Sequence, residues 1–80
     1  MITATVDVGF GNTLTIRGEG AGLTWERGVP LSCATASVWS ISLPATSGVV
    51  FKLLVNDRTW SSGENFSVAA GAKATVEPAF

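Results

Sequence analysis

Val49-Val50-Phe51-Lys52-Leu53-Leu54-Val55-Asn56 is the most apolar stretch of the chain. Val49, Phe51, Leu53 and Val55 fall on one face, as the two-residue period of a strand requires. Upstream, Val38 to Leu43 alternates again, with Trp39, Ile41 and Leu43 on one side and Val38, Ser40 and Ser42 on the other. Between these runs, Pro44-Ala45-Thr46-Ser47-Gly48 reads as a hairpin-type connection. Downstream, Asn56-Asp57-Arg58-Thr59 turns the chain toward Trp60.

Further out the same period recurs. Residues 2–10 alternate, placing Ile2, Ala4, Val6, Val8 and Phe10 on one face of a half-buried strand. Gly11-Asn12 is a turn signal, and Thr13 to Arg17 forms a second strand with Leu14 and Ile16 inward. A glycine-rich loop runs from Gly18 to Gly28. Val29-Pro30-Leu31 fits a short edge strand, where proline is tolerated. Phe66 to Val68 and Lys73 to Val76 complete the set, separated by Ala69-Ala70-Gly71-Ala72. Six to eight short strands, turn signals about every 8–12 residues and no helical period predict an all-β, small antiparallel sandwich. The 80 residues form one domain, without an internal repeat or linker.

Composition narrows the function. Cys33 is the only cysteine and there is no histidine, so neither an internal disulfide nor a zinc site is available. Stability must come from apolar packing, which the 46% hydrophobic content can supply. The cations Arg17, Arg27, Lys52, Arg58 and Lys73 are scattered and net charge is −1, which argues against nucleic acid as a partner. No apolar run approaches the roughly 20 residues of a membrane span. No signal peptide is visible at the N-terminus, so a cytoplasmic location is the expectation.

Catalysis has little to work with. The carboxylates Asp7, Glu19, Glu26, Asp57, Glu64 and Glu77 show no pairing in their spacing, and a glycosidase needs two facing each other. Cys33 and the Ser/Thr hydroxyls lack an activating base. Gly18, Gly20 and Gly22 form G-x-G-x-G with no following helix, which is not a phosphate loop. The expectation is a non-enzymatic chain with no cofactor and no metal.

Aromatic surface is the chemical tool that remains. Trp39 sits in strand alternation with Ile41 and Leu43 and belongs to the core. Trp25 and Trp60 instead lie in polar, turn-rich stretches, which suits either a ligand platform or lids over the open ends of the sandwich. An aromatic plane can take the apolar C–H face of a pyranose, while polar groups take its hydroxyl edge. Two readings fit Lys52, on the outward face of its strand: a charged gatekeeper that keeps the sheet soluble, or a donor beside the platform. Asn56 and Asn65 are edge partners or turn residues that satisfy their own backbone.

The landmarks also occur in a familiar order. Gly22-Leu23-Thr24-Trp25 precedes Val29-Pro30-Leu31, then Val38-Trp39-Ser40-Ile41-Ser42-Leu43-Pro44, then Val50-Phe51-Lys52-Leu53-Leu54-Val55-Asn56, and finally Trp60 with Gly63-Glu64-Asn65. From about Thr5 onward this series resembles the starch-binding domains of carbohydrate-binding module family 20 and the related glycogen-binding modules of family 48. The resemblance implies an antiparallel immunoglobulin-like β-sandwich that binds α-glucan through two angled tryptophans. It implies Trp25 and Trp60 as those rings, Lys52 and Asn65 as edge contacts, and Trp39 as the buried strand tryptophan. The chain has no tyrosine, so the tyrosine-based second sugar site of many family 20 members is not expected. Ser61-Ser62-Gly63-Glu64-Asn65 also departs from the family's Asp-Pro-Asn. The competing expectation is an immunoglobulin-like structural or protein-interaction domain without sugar binding, since one sandwich serves many functions. The module stands alone or belongs to a larger protein; the residues fit both.

Overall fold

Where apolar residues alternate, the chain pairs into strands. The computed structural model describes residues 1–43 and 48–80. Among them are nine strands: β1 (Ile2–Thr5), β2 (Leu14–Glu19), β3 (Val29–Pro30), β4 (Ser32–Thr35), β5 (Val38–Ile41), β6 (Val49–Val55), β7 (Thr59–Trp60), β8 (Phe66–Val68) and β9 (Ala74–Val76). They form two sheets. The first has the order β4-β5-β1-β9, and the second β3-β2-β6-β7 with β8 also paired to β6. Every pairing is antiparallel except β1 with β9, which run parallel and bring distant parts of the chain together. No helix among the described residues is long and apolar enough to cross a membrane.

The core lies between the sheets. Ile2, Ala4 and Trp39 come from the first sheet, and Leu14, Ile16, Val49, Phe51 and Leu53 from the second. Leu23 and Leu31 close it from the connecting segments. Phe51 and Phe66 pack ring to ring at 5.4 Å with 34° between their planes. Trp39 is buried as its strand period predicts, although the described residues offer its indole Nε1 no acceptor.

Three segments depart from the pattern of the sequence. The strand expected over 2–10 ends at Thr5, whose partner is Val38. The Val6 amide makes one further bond, to the Ser37 carbonyl at 3.0 Å. Gly9 and Gly11 then take φ of 86°, Asp7 Oδ1 accepts the Gly9 amide at 2.9 Å, and the chain leaves the sheet. Val6 and Val8 still pack against the core, but Phe10 is fully exposed. β4 carries no alternation and is exposed throughout; its pairing with β5 is what makes it a strand. The hairpin-type connection proposed for 44–48 falls largely on residues 44–47, outside the described residues, and the strands flanking it belong to different sheets.

Gly18 explains how β2 and β6 come so close. It faces Phe51 in register on the core side of β2. A Cβ there would collide with the Val50 carbonyl oxygen and the Phe51 Cα, both of which are backbone atoms that cannot rotate away. Gly18→Ala is therefore expected to destabilise the fold by about 3 kcal/mol or more. Urea denaturation beside Gly63→Ala, which has open space around it but a φ of 85°, separates crowding from backbone strain.

Candidate aromatic binding site

The outward face of the second sheet carries the site. Thr15, Arg17 and Glu19 point outward from β2, and Val50, Lys52 and Leu54 from β6, opposite to the core-facing set. Arg17 and Lys52 are direct cross-strand partners. Like charges placed opposite each other are unfavourable, and here the two cations bind in different directions. Lys52 Nζ donates to the Ser61 carbonyl at 2.8 Å, whereas Arg17 Nε donates to Asp57 Oδ1, also at 2.8 Å.

A tight turn brings Asp57 to Arg17. Asn56 and Asp57 have φ of 54° and 57°, and the Arg58 amide donates to the Val55 carbonyl at 3.1 Å. Two consecutive positive φ values make this a type I′ hairpin turn, whose twist matches the flanking strands and for which Asn and Asp are suited. Asn56 is occupied structurally: its Oδ1 accepts the Thr13 amide and its Nδ2 donates to Asn12 Oδ1. Asp57 ties its turn to β2 and to the loop before β3, since Oδ1 accepts from Arg17 and Thr15 and Oδ2 accepts the Gly28 amide at 3.2 Å. A side chain at Gly28 would strike the Asp57 carboxylate, so glycine is required for that approach.

Arg17 then fixes the aromatic pair. Its Nη1 donates to the Trp25 carbonyl at 3.1 Å, its Nη2 to the Asp57 carbonyl at 3.2 Å, and its Cζ lies 5.3 Å from the Trp60 ring centroid. Trp25 Nε1 donates to Glu19 Oε1 at 2.9 Å. The Trp25 and Trp60 rings stack with centroids 6.4 Å apart and 28° between their planes. Trp60 is 43% exposed and Trp25 is half-buried. Opposite Trp60 in the ladder, Leu54 is fully buried although it points away from the main core. Trp60 is thus placed to cover Leu54, a burial worth about 1.5–3 kcal/mol, while keeping ring surface open to solvent.

The expected site residues are placed unevenly. Trp25 and Trp60 meet. Trp60 lies in the two-residue strand β7, where it had been expected in a loop. Lys52 shares the face but is half-buried. Between the Leu54–Trp60 and Phe51–Phe66 pairs, Lys52 and Leu53 face the longer stretch 61–65, and Lys52 satisfies a carbonyl of that bulge. Asn65 ends the same excursion and is exposed. Arg17 and Asp57 were not singled out from the sequence. The signals for them are the outward position of Arg17 in the β2 alternation and the Asn56-Asp57 turn. Among the described residues no group of three or more His, Cys, Asp or Glu could hold a metal ion.

No family model and no curated protein matches this chain. The defining geometry of the face is a stacked tryptophan pair beside the Arg17–Asp57 ion pair.

Hydrogen bonding from Arg17, and secondarily from the Gly28 amide, holds the Asp57 carboxyl below the ordinary carboxylate range, and Asp57 in turn raises Arg17. The contribution of Asp57 to stability is thus complete above the unfolded-state value of about 3.9 and is lost as pH falls through the lower folded-state value. Thermal unfolding should show wild type losing more of its Tm than Asp57→Asn between pH 7 and strongly acidic conditions. Equal losses would mean that the pair does not brace the face.

Proposed function

We propose that this chain is a non-catalytic module that binds α-glucan, with the Trp25–Trp60 pair as its platform. The observation that carries the reading is the pair itself. Two tryptophans far apart in sequence are held 6.4 Å apart on the outward side of a sheet, with Arg17 over the Trp60 ring. Large aromatics anchored in this way offer contact area with little rotamer freedom left to lose on binding. The 28° between the rings suits a ligand that curves, as an α-1,4-linked chain does, better than a flat ribbon. Polar groups on the same face suit a pyranose edge: Lys52 keeps further N–H donors and Glu19 a carboxylate, and the exposed Asn65 amide is proposed as a further edge contact. The order of landmarks shared with carbohydrate-binding module families 20 and 48 supports the same ligand class.

Affinity is expected in the micromolar to millimolar range, because a two-ring platform buries little area against the entropy of docking. An amide titration by NMR with maltohexaose or β-cyclodextrin, and cellohexaose as control, tests the reading. Shifts confined to Trp25, Lys52 and Trp60 with the α-glucans are the expected result. Trp60→Ala should abolish them while dispersed amide signals show an intact sandwich. Absence of shifts at millimolar glucan would leave Trp60 as a cover for Leu54 and favour a structural or protein-interaction domain without sugar binding.

A further inference from the structure

A second recess lies at the end of the first sheet, formed by residues that the aromatic face does not use. It encloses about 450 Å³ and is lined by Asp7, Phe10, Asn12, Cys33, Ala36 and Trp39, with glycines between. That volume falls within the range of small-molecule sites. Two features of its lining are chemically unusual for so small a domain. Phe10 is fully exposed between two glycines of positive φ, at a recess that the core residue Trp39 also lines. Asp7 is the only charged residue in the lining. The one ion pair among the described residues is Arg17–Asp57, so Asp7 has no cationic partner among them. Its Oδ1 accepts the Gly9 amide at 2.9 Å, which fixes the carboxylate in place.

Two aromatic residues and a carboxylate without a cationic partner line the same recess, and aromatic surface and carboxylate both attract an organic cation. A bare ammonium would forfeit strong hydration on entering apolar walls such as Ala36 and the rings. Methylation removes most of that cost by giving the cation an apolar surface. We infer that the recess between Asp7, Phe10 and Trp39 is a binding site for a small, soluble methylated ammonium compound. The inference is independent of α-glucan binding, since it shares no residue with the tryptophan pair.

Choline is the probe, and its neutral isostere 3,3-dimethylbutan-1-ol is the control. Choline should shift the amides of residues 7–12, Cys33 and the Trp39 indole, leave Trp25 and Trp60 in place, and bind less well as ionic strength rises. Asp7→Asn keeps an acceptor for the Gly9 amide and should weaken choline binding about two- to fivefold. Phe10→Ala, at a position that packs against nothing, should weaken it by a similar factor. Equal binding of the neutral isostere, unchanged affinity in Asp7→Asn, or no shift at choline on the order of 50 mM would each overturn the proposal. So would association with phosphatidylcholine vesicles in the absence of any response to free choline.

Discussion

Arg17 is the residue on which the aromatic face depends. Its guanidinium is a rigid planar fork with donors along its edge and a flat face above and below. Both parts are used: the edge holds Asp57 and the Trp25 carbonyl, and the cation lies over the Trp60 ring. A lysine at this position could supply charge but not three directed hydrogen bonds and a stacking surface at once. The loop carrying Trp25 and the hairpin carrying Trp60 are separate in sequence, and this side chain bonds to both, beside the Gly28–Asp57 bond and the ring stacking. The ion pair is only partly shielded, at 17% and 33% exposure for Arg17 and Asp57. Its weight lies in geometry more than in Coulomb energy, since partly exposed pairs are screened by water.

How far the sequence reveals this varies with the physics involved. β2, β5 and β6 are legible because each has one face against the core, so burial imposes a period of two on their residues. β3 is legible for another reason, because Pro30 restricts it to an edge. β1 is legible only in part. Apolar alternation continues to Phe10, but alternation records which side chains avoid water, not where the backbone finds a partner. β4 is invisible because no face of it is buried. Its strand character is borrowed from β5.

The same distinction applies to the site. Trp39 announces its burial through Ile41, two residues on, whereas nothing in the spacing of Trp25 and Trp60 brings them together. Leu54 shares the outward face of its strand with Lys52, yet it is fully buried, with Trp60 as its partner on the neighbouring strand. Arg17 looks like one of several scattered cations until the strand register and the Asn56-Asp57 turn place a carboxylate beside it. Contacts of that kind are properties of the assembled sheet and leave no local trace.

The parallel pairing of β1 with β9 has a consequence for how the protein is made. Synthesis proceeds from the N-terminus, so Ile2–Thr5 leaves the ribosome long before Ala74–Val76 exists. Until then one side of β1 presents unpaired amide and carbonyl groups, an open template for any other extended chain. The first sheet is completed only when the last strand arrives, which ties its closure to loop formation across nearly the whole sequence, a slow step among elementary folding events. For this fold the interval between the synthesis of β1 and that of β9 is the period of greatest exposure to misassembly.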